Sequence, residues 1–128
     1  MQITIHGRIQ SKKNSKQIIS IKGRPMLISS KKHKEWQKAT LPLVKQQFVA
    51  LRGNSEPLKG KCGVMMTFIM PDKRKTDLTN KAESVMDILV DSGVLVDDSW
   101  QFVPIVQLKC IGVDKESPMC LITIKEIK

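Results

Sequence analysis

Seven of the chain's twelve acidic residues fall between positions 72 and 98, namely Asp72, Asp77, Glu83, Asp87, Asp91, Asp97 and Asp98. The chain around them is basic, with 22 Lys and Arg and a formal net charge of +10. Residues 1–35 alone carry nine Lys or Arg against the single acid Glu35. Carboxylates gathered in one place can hold a divalent cation, and cations around them attract a polyanionic backbone. That pairing points to phosphodiester chemistry more specifically than basic composition does, since ribosomal-type and membrane-surface proteins share the latter.

The stretch Pro71-Asp72-Lys73-Arg74-Lys75-Thr76-Asp77-Leu78-Thr79-Asn80 places a basic loop, a carboxylate and a helix start in quick succession. Lys73, Arg74, Lys75 and the helix's first amides can grip a scissile phosphate while Asp77 holds a cation beside it. Asp97-Asp98, in the turn after Gly93, is the second carboxylate group. Each feature also has a plain structural reading: Asp77 as a helix cap, the cations as a solvated loop, Asp97-Asp98 as turn residues. Joint action carries a geometric condition. A helix of about 16 residues spans roughly 24 Å, so Asp97-Asp98 must return toward Asp77 or be supplied by a dimer mate. Glu83, one turn beyond Asn80, can reach back toward the helix start, or it completes an Asn80-x-x-Glu83 capping box. Asp87 lies farther along the same stripe. Lys12, Lys13, Lys16 and Arg24 extend the cationic footprint along a nucleic-acid arm.

Other chemistries find little support. Cys62, Cys110 and Cys120 are widely spaced, form no Cys-x-x-Cys pair and sit in apolar stretches, so buried free thiols are expected. His6 and His33 have no ligand spacing to those cysteines, which argues against zinc. No glycine-rich nucleotide loop or serine-hydrolase motif occurs. Trp36 and Trp100 can stack on an unpaired base, but few aromatics in a small domain are more often core residues.

The elements that must position these groups are legible from periodicity. Gln2 to His6 alternates as a strand ending near Gly7; Gln17 to Ile21 and Pro25 to Ile28 flank Lys22-Gly23-Arg24 as a hairpin. A helix capped by Ser29 or Ser30 presents Trp36, Ala39, Leu43, Val44 and Phe48, with Pro42 inside it as a late start or a kink. Cys62 to Met70 reads as a central strand buried on both faces. Asp77 to Ser92 is a helix with Leu78, Ala82, Val85 and Leu89 on one side, and Asp77, Asn80, Ser84, Asp87 and Asp91 opposite; Gly93 ends it. Val103 to Val113 and Met119 to Ile127 are the last strands. The order βββαβαββ makes residues 1–128 a single α+β domain with a mixed β-sheet and two main helices. No apolar run approaches the roughly 20 residues of a membrane span, and no secretory signal opens the chain, so a cytoplasmic protein without membrane partners is expected.

Asp77-Leu78-Thr79-Asn80, Asp87-Ile88-Leu89, Gly93 and Asp97-Asp98 resemble, in order and spacing, the RusA family of Holliday-junction resolvases, phage- and prophage-associated endonucleases. The specific part covers residues 71 to 100, about a quarter of the chain; the basic loop before it and the Ser11 to Ser15 segment with Asn14 are compatible. The resemblance implies a homodimer that binds a four-way DNA junction by shape and makes paired nicks with Mg²⁺ or Mn²⁺. It assigns the metal-site aspartates to Asp77 and Asp98, with Asp97 adjacent and Asn80 supporting. Two positions depart from the family pattern: its second motif aspartate falls on Thr79, and a lysine of the early helix falls on Glu83, with Lys81 nearby. The resulting expectation is an Mg²⁺-dependent, structure-selective endodeoxyribonuclease of recombination or repair using Asp77, Asp97, Asp98 and Glu83. The rivals are a nonenzymatic nucleic-acid-binding phage regulatory module and an Mg²⁺-dependent flap nuclease or RNase.

Overall fold

The structure, a computed structural model, describes residues 1–11, 16–21, 23–29 and 31–127, with the backbone course alone for 16–21 and 24–29. Its elements are β1 (Gln2–His6), β2 (Lys16–Ile21), β3 (Arg24–Ser29), α1 (Lys31–Arg52), β4 (Cys62–Met70), α2 (Leu78–Asp91), β5 (Ile105–Val113) and β6 (Met119–Glu126). The expected order and α+β class hold. Four strands form a mixed sheet in the order β1-β6-β4-β5, and β2 and β3 form a separate antiparallel ribbon.

The ribbon closes where the sequence places a turn. Ile21 pairs with Arg24 across a two-residue connection, and Gly23 has φ of +77°, a conformation that glycine adopts without steric cost. In the main sheet β4 runs antiparallel to β6 and parallel to β5, so α2 is the crossover of a β4–α2–β5 unit and runs back against the strand direction. That topology decides which ends of the elements can meet.

Cys62, Val64, Met66 and Phe68 of β4 are buried, as are Ile3 and Ile5 of β1 and Cys120, Ile122 and Ile124 of β6. They meet Val44 and Phe48 of α1 and Val85, Ile88 and Leu89 of α2. The expectation of a β4 buried on both faces needs correction: Met65 on its other face is exposed, because no helix covers that side. The α1 face is also rotated from the expected one. His33, Thr40, Val44 and Phe48 are buried, whereas Ala39 and Leu43 are exposed. Pro42 lies inside α1 on its exposed side, where a carbonyl deprived of its amide partner can turn to water. Of the predicted caps, Ser29 ends β3 and Ser30 lies outside the described residues.

The sheet's two edges differ. At β1, the Gln47 side-chain amide brackets Thr4, accepting from its N–H at 2.9 Å and donating to its carbonyl at 2.8 Å, as a neighbouring strand would. At β5 the described residues supply no such guard, and Ile105, Val106, Ile111 and Val113 are all exposed. The cysteine expectation holds for two of three: Cys62 and Cys120 are buried, while Cys110, on this open edge, is exposed. Burial pushes the Cys120 thiol up to about 12.

Candidate active site

The loop from Pro71 to Asp77 joins the end of β4 to the start of α2. Asp77 occupies the N-cap position with extended backbone (φ −86°, ψ 125°), yet its carboxylate makes no capping hydrogen bond to the helix amides. A capping aspartate would be spent on those amides; this one is exposed and, among the described residues, is hydrogen-bonded by Asn80 Nδ2 at 3.4 Å. Asn80 is therefore set beside Asp77. The Asn80-x-x-Glu83 capping-box reading is corrected, because the N-cap position falls three residues earlier, at Asp77. Thr79 and Glu83 are exposed on the following turn.

The basic loop is tied down by a carboxylate. Asp72 accepts from the guanidiniums of Arg8, just beyond β1, and of Arg74, with Arg74 Nη2 at 2.9 Å and Nε at 3.1 Å. It also accepts from the Arg74 backbone N–H at 3.0 Å. Hydrogen bonds from Arg74, reinforced by the charges of Arg74 and Arg8, hold the Asp72 carboxyl below its ordinary range. Lys73 and Lys75 remain exposed.

Behind this loop lies a residue that the amphipathic reading of α2 passed over. Lys81 is only 7% exposed, and its Nζ donates to the Ile9 carbonyl at 2.8 Å. Desolvation pulls the pKa of this ammonium down, with the nearby Arg8 and Arg74 adding to the effect against the attraction of Asp72. Its sequence signal was its place on the helix: it follows Leu78 by three positions and precedes Val85 by four, inside the apolar stripe. Ser84, expected on the polar side, is buried as well. Arg8, Lys32, Asp72, Arg74, Lys75 and Lys81 line a cleft of about 420 Å³ between the β1 exit, the start of α1 and the β4–α2 loop.

Asp97 and Asp98 follow α2 on the far side. Ser92 caps the helix, Gly93 takes φ of +81° with its N–H donating to Val90 at 3.0 Å, and Val94 and Leu95 tuck in behind it. Leu95 bridges Leu58, and the Cys62 N–H donates to the Phe102 carbonyl at 2.8 Å, so residues 95 to 102 lie at the starting end of β4. Asp77 lies beyond the finishing end. The 14 residues of α2 separate the two groups by on the order of 20 Å. Within one chain the return that joint action requires does not occur, and among the described residues no group of three or more His, Cys, Asp or Glu side chains is placed to hold a metal ion. A hydrogen bond from the Ser99 side chain and another from the Asp98 backbone hold the Asp97 carboxyl below its ordinary range. Asp98 is exposed, Asp87 is half-buried, and Asp91 accepts from Gln37 Nε2 at 3.0 Å.

Of the outlying cations, Lys16 opens β2 and Arg24 opens β3, which places both on the ribbon; Lys12 and Lys13 lie outside the described residues. Trp100 is 71% exposed and Trp36 is partly buried against the core. No helix among the described residues is long and apolar enough to cross a membrane. Neither family models nor curated proteins yield a match to this chain.

Proposed function

We propose that the chain is an Mg²⁺-dependent, structure-selective endodeoxyribonuclease of the RusA type, acting as a homodimer on four-way DNA junctions. The observation that carries this reading is the uncommitted carboxylate of Asp77, standing at a helix start directly beside a basic loop and a cationic cleft. Metal-dependent phosphodiester hydrolysis needs such a juxtaposition: an oxygen donor free to take a cation, with positive charge beside it to seat the phosphate.

Among the described residues one chain supplies too few donors at that point, and the topology suggests where the remainder come from. The β5 edge is unpaired among the described residues and carries exposed apolar side chains, and its start adjoins the Asp97-Asp98 turn. Its end lies beside the end of β4, where the Asp114 N–H donates to the Met70 carbonyl at 2.8 Å. Two β5 strands paired antiparallel about a two-fold axis bring the Asp98 end of one copy alongside the Asp77 end of the other, twice. Each site is then composite, with Asp77 from one copy and Asp98, flanked by Asp97, from its mate. A four-way junction has approximate two-fold symmetry and requires two opposed cuts, which two such sites supply.

A divalent ion held there, Mg²⁺ or Mn²⁺, would supply Lewis-acid activation of water and neutralisation of charge on the departing 3′-oxygen. Asp77 and Asp98 are the residues that would hold it, and Asn80, 3.4 Å from Asp77, would orient that carboxylate. Lys73, Arg74 and Lys75 seat the phosphate, the Asp72 latch fixing the loop that carries them. Glu83, exposed on α2, can reach toward the helix start in place of the carboxylate that Thr79 does not provide. The ribbon bearing Lys16 and Arg24 adds contacts to a DNA arm that follow shape and not base sequence. The separation of the carboxylates within one chain also favours a second reading, a nonenzymatic nucleic-acid-binding module. A synthetic junction decides between them. Wild-type protein nicks it with Mg²⁺ and not with chelator, and Asp77→Asn lowers the rate at least about 100-fold, a transition-state loss near 3 kcal/mol, with junction affinity kept. Binding without Mg²⁺-dependent nicking establishes the module instead.

A further inference from the structure

The cleft behind the basic loop contains an electrostatic imbalance. Among the described residues, five cationic side chains line it against one carboxylate, Asp72, and that carboxylate is already shared between Arg8 and Arg74. At the wall is Lys81, buried to all but 7% of its surface. An ammonium has three protons to donate, and the Ile9 carbonyl takes one of them; no carboxylate among the described residues forms an ion pair with it. A buried cation flanked by two arginines is a costly placement, and an anion in the cleft relieves it. Exposure grades the lining: Lys81 innermost, Arg8 partly covered, Arg74, Lys75 and Lys32 outermost.

We propose that this cleft is a phosphoryl-binding site, in which a phosphate group of a nucleic-acid strand takes its innermost hydrogen bond from Lys81 Nζ, with Arg8 and Arg74 closing over it. The nucleic-acid part of the proposal rests on the functional reading above; the anion part rests on the cleft alone. The lowered Lys81 pKa has the matching sign, since a bound phosphate restores the charged form. The site is distinct in composition from the Asp77 and Asp98 carboxylates, and its role is to hold a strand phosphate in register with them. Thr76, on its lining, directly precedes Asp77.

The test uses the full chain with chelator present throughout and a short fluorescent oligonucleotide, 5′-phosphorylated or 5′-hydroxyl. Because no metal is present, a protein that never cleaves can still pass and one that cleaves can still fail. Lys81→Met is expected to weaken binding by roughly 10- to 100-fold, the loss of one charge-assisted hydrogen bond. It should also lower the slope of log affinity against log salt by about 0.7, one single-strand phosphate contact. Lys81→Arg should recover part of both. A marked preference for the 5′-phosphate assigns the cleft to a strand terminus and equal affinities assign it to an internal phosphodiester, either of which supports the proposal. Folded Lys81→Met that binds as wild type overturns it. Should that variant fail to fold, wild-type protein titrated with inorganic phosphate decides by amide chemical shifts. Changes centred on Arg8, Lys75, Thr76 and Lys81 support the site, and their absence removes it.

Discussion

Asp77 and Asp72 sit five positions apart in one loop and do opposite things. Asp72 is saturated by two arginines and a backbone amide, and its work is to hold the loop against β1. Asp77 is left nearly unengaged, which is what a metal ligand needs and a cap does not. The engagement of Asp72 predicts its titration. Asp72 has a folded pKa depressed from its ordinary 3.8, so its pairing stabilises the loop above that value and is lost as the pH falls through the lower folded one. Carboxyl NMR should place the Asp72 midpoint below 3.8, and Arg74→Gln should return it most of the way; an unshifted wild-type midpoint would contradict the latch. Asp72 was visible in the sequence only as one acid among seven, because its partner Arg8 is 64 residues away and nothing local marks the pairing. Lys81 was legible in principle, as a lysine on an apolar stripe, but whether such a residue snorkels to water or stays buried depends on the elements packed over it.

Among the elements, α2 followed its sequence closely, since an apolar stripe, a cap position and a glycine stop all agree on Leu78–Asp91. α1 agreed in extent but not in face. Its buried face includes His33 and Thr40, whose polarity hid their inward placement, with Gln47 half-buried beside β1, and Leu43 was a false guide. Gln47 shows why the pattern misled: its task is to complete the edge of β1, which periodicity cannot express. Gln47→Ala should cost about 1–3 kcal/mol in urea unfolding, as two strand groups lose their partner. Gln47→Glu should be harmful too, since it loses the donor to the Thr4 carbonyl. Stability unchanged in both would show that the bracket is dispensable. β4 reads as doubly buried because Met65 and Ile69 are apolar, yet sheet coverage is set by where the helices lie, and neither covers that face.

At the scale of the whole molecule, the carboxylates that the sequence groups within 22 positions are separated by the helix between them, and in the proposed dimer the β5 edge, unguarded among the described residues, is the route by which a second copy would reunite them. Periodicity and turn residues gave the class and the order of elements, but the strand order, and whether Asp98 returns to Asp77, depend on how β4, α2 and β5 are directed in space. If β5 is the seam, wild-type protein should sediment as a dimer, and Ile105→Lys, which sets a charge on that edge opposite its symmetry mate, should shift it toward monomer and reduce junction nicking together. A wild-type chain that stays monomeric both free and on junction DNA would exclude the seam. The shared site itself is tested most directly by mixing two inactive variants. Asp77→Asn and Asp98→Asn homodimers should each be inert, but a mixed dimer carries both lesions in one site and leaves the other intact. Equilibrating the two should therefore restore Mg²⁺-dependent nicking of one junction strand, to a level set by the fraction of mixed dimers, whereas a mixture as inert as its parents, from a wild type that cleaves, would show that Asp77 and Asp98 do not meet across two copies.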